Sequence, residues 1–225
     1  MISVVIRARD EAAWLGRCLR ALSGQSLKID DVILVDNESS DNTREIAYEF
    51  GAKVLNISKR EFSFGRALNL GIRHARNEVV AIISAHCIPV NELWAQYISV
   101  HLNQQQDIAT CGVYGRQIPL PETSDIDARD LWTTFRTERQ IQRRDFFFHN
   151  ANSAIRKSIW SEIPFDESLN GVEDRAWAKV AIKKGFQVVY EPHACVYHHH
   201  GIHQGRNEAR ARRVAQSIRY IQDIL

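Results

Sequence analysis

Short apolar, β-branched runs alternate with segments of helical spacing over the first hundred residues. Residues 3–6, 31–35, 52–55 and 79–84 read as strands, and residues 11–22, 41–50, 66–76 and 91–102 as the helices that follow them. Strand then helix, four times over, predicts a parallel sheet with right-handed crossovers. Val4-Val5-Ile6 and Val32-Ile33-Leu34-Val35 carry no polar interruption, the pattern of strands covered on both faces. The second helix has its own start signal, with Ser40 or Asp41 at the N-cap and Glu45 in the first turn.

Beyond Ile108 the pattern becomes irregular. It predicts a strand to Tyr114, a turn through Pro119 and Pro121, and an Arg-rich helix from Asp127 to about Arg144. Helical spacing returns at 173–184, two short strands follow at 188–190 and 194–197, and a basic helix closes the chain over 206–225. The change of character divides one domain, residues 1–225, into a first lobe of 1–105 and a second of 106–225.

Composition narrows the choices. With 29 basic and 27 acidic side chains the formal charge is +2, and 44% of residues are hydrophobic, as in an ordinary globular protein without the charge footprint of a nucleic-acid binder. Met1-Ile2-Ser3-Val4-Val5-Ile6 is too short for a signal-peptide core before Arg7, and no apolar run reaches membrane-spanning length. Cys18, Cys87, Cys111 and Cys195 lie far apart, without C-x-x-C spacing, and read as buried thiols in a reducing cytoplasm.

Three of the first four strands end in polar groups: Arg7 with Arg9 and Asp10, Asp36 with Asn37 and Glu38, and Ser84 with His86. Open α/β sheets bind ligands outside the carboxyl ends of their strands, so these groups are candidates to converge on one site. The competing reading is that strand-to-helix loops are polar in any case and that Asp36 or Ser39 caps a turn. A nucleotide base offers ring N–H and carbonyl groups, which Asp36, Asn37 and Arg7 can match. Arg66 and Asn69, at i and i+3, share a helix face.

Four segments carry a resemblance. Ser3-Val4-Val5-Ile6-Arg7 with Asp10-Glu11, the run from Val35-Asp36-Asn37 to Thr43, Phe64-Gly65-Arg66-Ala67-Leu68-Asn69-Leu70-Gly71, and Val172-Glu173-Asp174-Arg175 resemble, in that order, the motifs of family 2 glycosyltransferases, the inverting enzymes of the GT-A fold. Ser84-Ala85-His86-Cys87, Gly115-Arg116-Gln117-Ile118-Pro119 and Phe148-His149-Asn150 are further similar to bacterial polysaccharide members, including rhamnosyltransferase-like ones with altered metal motifs.

The resemblance implies an α/β fold with a mixed, mostly parallel sheet and helices on both faces. It implies transfer of a sugar from a nucleotide-activated donor to a glycan hydroxyl, with inversion, in cell-surface polysaccharide synthesis. Donor contacts would fall to Arg7, Asp10, Glu11, Asp36, Asn37, Arg66, Asn69, Ser84 and His86, and acceptor contacts to His149, Asn150, Asn152 and Trp177, with Trp132 and Trp160 as further stacking candidates. Asp174 would deprotonate the acceptor, with Glu173 hydrogen-bonding it or organising the loop, behind the flexible backbone of Gly171. Without the resemblance, two acids at a helix start would be ordinary dipole partners.

The family's Asp-x-Asp metal motif stands here as Ser84-Ala85-His86, which leaves the Mn²⁺ or Mg²⁺ requirement open. Either His86 and His198 ligate a transition metal, or His86, Arg206 and Arg210 neutralise the diphosphate, or the site is dead. Adjacent residues on a strand point to opposite faces, so His198-His199-His200 cannot all face one ion without a bend; His193 and His203 read as acceptor-site or surface residues. Two other classes stay in view. A non-catalytic sugar-nucleotide or glycan-binding module is favoured by the lost carboxylates, and a nucleotidyltransferase is opposed by the absence of glycine in Arg7-Ala8-Arg9-Asp10-Glu11. Expected partners are a sugar nucleotide and a glycan or lipid-linked glycan acceptor. The basic helix, with Arg206, Arg210, Arg212, Arg213 and Arg219, either touches the inner face of a membrane or packs Val214, Ile218 and Ile221 on the sheet; homodimerisation is open.

Overall fold

The computed structural model describes residues 1–103, 109–169, 171–201 and 208–224. The predicted opening is present: β1 (Ile2–Ala8), α1 (Ala12–Ser23), β2 (Ile29–Asp36), α2 (Thr43–Glu49), β3 (Lys53–Asn56), α3 (Phe64–His74) and β4 (Val79–Ser84). β3, β2, β1 and β4 lie side by side and parallel, with Val4, Val5, Ile6, Ile33, Leu34 and Val80 fully buried. Their unbroken apolar runs follow from being covered on both faces. One core cluster packs α1, α2 and the helix Trp94–Ser99 against the sheet, and a second, richer in aromatics, packs α3 and the helices Lys157–Glu162 and Glu173–Lys183 against its other face.

The later chain completes the sheet with β5 (Cys87–Pro89), β6 (Thr110–Pro119), β7 (Gln140–Gln142), β8 (Asn152–Arg156) and β9 (Gln187–His198). Among the described residues the order is β3-β2-β1-β4-β8-β6-β9-β5, with β7 on β9. β6 and β9 run parallel to each other and, through antiparallel β8, in the direction of β1 to β4; β5, β7 and β8 oppose them. The sheet is therefore mixed and mostly parallel. The helices between are α4 (Trp94–Ser99), α5 (Asp125–Thr134), α6 (Lys157–Glu162) and α7 (Glu173–Lys183), and α8 (Glu208–Ile224) ends the chain.

Local details differ from the sequence pattern for identifiable reasons. Asn42 rather than Ser40 or Asp41 caps α2, while Asp41 Oδ1 accepts from Thr43 N at 3.0 Å and Oδ2 from Ala12 N at 2.9 Å, tying α2 to α1. The helix expected over 127–144 stops at Thr134, because the following chain turns to pair Gln140–Gln142 with β9. The two short strands of 188–190 and 194–197 are one strand. Gly115 pairs with Glu191 and Gln117 with Val196, so the residues between Glu191 and Val196 bulge out of the register around Pro192.

α3 is capped by Ser63, whose hydroxyl accepts from Arg66 N at 3.1 Å. It lies so close to β1 and β2 that a Cβ on Gly71 would sit 2.4 Å from Val5 Cγ1 and 3.1 Å from Val35 Cγ2. α8 does not pack on the sheet; Val214, Ile218 and Ile221 cover Leu169, Val172 and Ala176 beside α7. Arg212 and Arg219 are exposed, and His203, Arg206 and the side chains of Arg210 and Arg213 lie outside the described residues. No helix among the described residues is long and apolar enough to cross a membrane. All four cysteines are free, and three of them are buried.

Candidate active site

The carboxyl ends of β1 and β4 and the start of α7 open onto one cavity of about 360 Å³. Arg7, Glu11, Asn37, Ser84, His86, His149, Asn150, Glu173, Asp174 and His198 all line it, as the sequence predicts. The register explains the convergence: Arg7 pairs with Ser84 across β1 and β4, and Ala8 with Asp36 across β1 and β2. The loops after β1 and β2 are held in left-handed turns at Asp10 (φ 54°) and Glu38 (φ 51°). Non-glycine residues in that region are costly and are kept where surrounding contacts enforce them.

Asn37 lines the cavity, whereas Asp36, expected as a donor contact, is fully buried and does not. Asp36 Oδ2 accepts from Ser39 N at 3.2 Å, as the turn-capping reading expects, yet Asp36 Oδ1 and Asn37 Oδ1 are buried without a hydrogen-bond partner. The open acceptor of Asn37, a lining residue at a strand end, suits a ligand that brings N–H or O–H groups.

Arg7 is a cation of this wall, beside Arg9. Its guanidinium lies 4.6 Å from the centre of the Phe64 ring. Burial lowers its pKa, and the carboxylates of Glu173 and Asp174 act to raise it; a guanidinium in their company stays charged. Glu173 and Asp174 open α7 just after Gly171, whose φ of 95° is a conformation that favours glycine. Burial pushes the Glu173 carboxyl up to about 7, the neighbouring Asp174 adds to that, and Arg7 and the Asn150 amide oppose it. Asp174 is raised as well, again chiefly by burial. Asp174 Oδ2 accepts from Asn150 N at 3.2 Å and Oδ1 from Arg175 N at 2.8 Å, which holds its position. Two neighbouring carboxyls, Glu173 buried and Asp174 half-buried, both raised, titrate as a pair.

Histidines line another part of the cavity. β5 pairs antiparallel with β9, setting Cys87 opposite His198, and this short strand brings His86 beside His198. The two rings stack with centres 5.2 Å apart and planes 8° apart. His200 joins them, its ring centre 4.6 Å from each. His199, just past the end of β9, turns the other way, onto Trp14. The pair expected from the sequence is thus a cluster of three; the i, i+2 spacing of His198 and His200 was the available signal for the third. His193 lies away from the cavity on Glu191.

Several expected contacts are corrected. Asp10 does not line the cavity; it is exposed and clasps the neighbouring loop through Ser40 N at 2.7 Å and Ser40 Oγ at 2.9 Å. Arg66 and Asn69 face the loop before α7, Arg66 Nε meeting Glu167 Oε2 at 2.8 Å. Asn69 donates to Phe165 O and Glu167 Oε1 and accepts from Trp160 Nε1 and Phe165 N. Asn152, fully buried, donates to Arg116 O and Ala194 O and accepts from Trp94 Nε1. Trp177 is a core residue whose indole donates to Ile163 O, Trp160 is buried, and Trp132 is exposed away from the cavity. Arg9, named with Arg7 at the end of the first strand, lines the cavity too, whereas Ala8, Phe62, Phe64, Ala151, His200 and Gly201 were missed as lining residues.

Residues 3–163 match the family described as glycosyl transferase family 2. The chain belongs to that family. It is 24% identical over 198 residues to the glycosyltransferase AglE of Haloferax volcanii, covering 84% of this chain and 64% of that protein. It is 25% identical over 200 residues to the O-antigen chain rhamnosyltransferase WbaN of Salmonella anatum, covering 84% and 62%. The chain therefore spans a little under two thirds of the length of these curated relatives. Among solved structures it is similar to the mannosyltransferase PcManGT of Pyrobaculum calidifontis, in complex with GDP-Man and Mn²⁺, with TM-score 0.68, 17% identity and coverage of 97% of this chain and 64% of that one. Staphylococcus aureus TarS 1-349 in complex with UDP-GlcNAc superposes with TM-score 0.64 at 16% identity, over 87% of this chain and 57% of that one. These likenesses establish the GT-A fold.

The family's cation can be weighed against these side chains. Ser84 and His86 replace an acidic pair, and Glu11 is engaged with His86 Nδ1 at 2.8 Å. An oxygen-seeking Mg²⁺ ion is poorly served by imidazoles, whereas a nitrogen-accepting transition ion is well served.

Proposed function

We propose that this chain transfers a hexosyl or deoxyhexosyl group from a nucleotide sugar to a glycan hydroxyl, inverting the anomeric centre, in cell-surface polysaccharide synthesis. The observation that carries the reading is the pair of buried Glu173 and half-buried Asp174 opening onto the same cavity as Asn37, Ser84 and His86 from the strand ends. Membership of the family and the likeness to an O-antigen chain rhamnosyltransferase support the substrate class.

Asn37 and Arg7 receive the nucleoside end of the donor, Asp36 holding the turn that carries Asn37 through Ser39 N. Ser84 and the histidines receive the diphosphate, where a bound metal ion would neutralise phosphate charge, held by His86 and His198 with His200. Asp174 takes the proton of the acceptor hydroxyl; the acceptor oxygen bonds to the anomeric carbon as its bond to the diphosphate oxygen breaks, and the nucleoside diphosphate leaves with the electron pair. Glu173, protonated when Asp174 is ionised, can donate a hydrogen bond to the acceptor. His149 and Asn150 border the acceptor side. Asn150 holds Asp174 through its backbone N–H, so it positions the base.

The test is transfer from UDP-, GDP-, dTDP- and CMP-sugars onto oligosaccharide acceptors, with the product anomer read by NMR. One donor should release its nucleotide in step with acceptor, giving the inverted anomer. Retention of configuration would overturn the single-displacement mechanism. Nucleotide binding without turnover in any pairing would favour the non-catalytic module, which the loss of acidic residues at 84 and 86 otherwise supports.

A further inference from the structure

We propose that His86, His198 and His200 form a three-imidazole site for a nitrogen-preferring divalent ion of the zinc, cobalt and nickel class, in place of an oxygen-ligated magnesium site. One ring nitrogen from each lies within 4.8 Å of the other two. Nitrogens bound to one tetrahedral ion at 2.0–2.1 Å stand about 3.4 Å apart, so small side-chain rotations close the set.

The hydrogen bonds around the three rings supply the stronger argument. His198 Nδ1 donates to Gln117 Oε1 at 2.7 Å, and the same Gln117 donates from its amide nitrogen to His149 Nδ1 at 3.0 Å, which fixes the orientation of the amide. His86 Nδ1 donates to Glu11 Oε1 at 2.8 Å, and His200 Nδ1 to the carbonyl of Gly201 at 3.0 Å. In each ring the proton sits on Nδ1, so Nε2 is the basic nitrogen. That is the arrangement metal-bound imidazoles take, with the far nitrogen donating to a carboxylate, amide or backbone carbonyl. The Nε2 atom of His198 is buried without a partner, an unused lone pair in a residue 2% exposed.

The fold holds the set in place. Cys87 pairs with His198 between β5 and β9, and Pro119 pairs with His198 between β6 and β9, which sets Gln117 two residues back on the neighbouring strand. Past the end of β9, the carbonyl of His199 accepts from Thr123 Oγ1 at 3.0 Å. A Cβ on Gly201 would lie 2.6 Å from Asp130 Oδ2, so the chain after His200 presses directly on α5. Placing a donor diphosphate on the ion rests on the glycosyltransferase reading; binding of the ion does not.

The test uses the full chain without a histidine tag, stripped of metal by chelation and titrated with Co²⁺ while the visible spectrum is recorded. We expect d–d bands that saturate at about one equivalent, vanish on adding Zn²⁺ and survive excess Mg²⁺. His86→Ala and His200→Ala, both at partly exposed positions, should abolish the bands while leaving the metal-free melting curve unchanged. Gln117→Leu should keep bands of similar position but weaken Co²⁺ binding about 10- to 100-fold. If either alanine variant does not fold, His86→Gln and His200→Gln carry the same expectation. Absence of bands, bands indifferent to these substitutions, or displacement of Co²⁺ by Mg²⁺ would overturn the proposal. Bands that appear as expected yet ignore every sugar nucleotide would leave the metal site standing and count against the glycosyltransferase reading alone.

Discussion

Asn69 accepts the indole N–H of Trp160 at 2.8 Å beneath α3, and the same carbonyl oxygen accepts from Phe165 N at 3.1 Å. Its amide nitrogen donates onward to Phe165 O and Glu167 Oε1. A residue whose family motif suggests a donor contact thus ties α3 to α6 and to the loop leading into α7. Asn69→Ala would strand a buried indole and backbone groups, so the loss should be about 3 kcal/mol, with the melting temperature lowered by about 6–12 °C. Nucleotide affinity in the folded variant should be unchanged. A large loss of affinity without loss of stability would return Asn69 to the donor site.

The base is tested by Asp174→Asn, which keeps the shape of the side chain and removes its capacity to accept a proton. Transfer should fall by about 10³-fold. Nucleotide binding, followed by calorimetry, should be nearly intact. Full activity in the variant would remove Asp174 from that role.

The raised carboxyl of Glu173 predicts a pH dependence with a definite sign. Its pKa moves from 4.5 unfolded to about 7 folded, so between those values the folded state holds the extra proton. The contribution is complete below the unfolded pKa and is lost as pH rises through 7, amounting to about 3 kcal/mol. Wild type should lose stability relative to Glu173→Gln between pH 5 and pH 8, as read by paired denaturant melts, and parallel profiles for the two would show that Glu173 titrates normally.

Gly71 tests how closely α3 must approach the sheet. Gly71→Ala places a methyl against Val5 and Val35, both fully covered, and should cost about 1–3 kcal/mol despite the better helix propensity of alanine. A stabilised variant, measured by thermal melting, would mean that α3 can move outward freely.

The amino-acid sequence by itself determined the parallel half of this protein. Continuous apolar runs such as Val4-Val5-Ile6 fit strands covered on both faces, and helical spacing between them calls for parallel strands with right-handed crossovers, which sets the polar ends of β1, β2 and β4 on one edge of the sheet. Arg7, Asn37, Ser84, His86, Glu173 and Asp174 were legible for that reason or through family motifs. Tertiary structure decided what local pattern does not encode. β8 enters antiparallel between β4 and β6, β5 needs only three residues, and the bulge around Pro192 rejoins two segments into β9. Those pairings bring His86, His198, His200 and Gln117 together from positions far apart in the chain. Asn69, Asn152 and Trp177 turn away from the cavity because each found buried partners on a neighbouring element, and Arg66 because it pairs with Glu167 at the surface; a side chain's direction is settled by the partner that satisfies it.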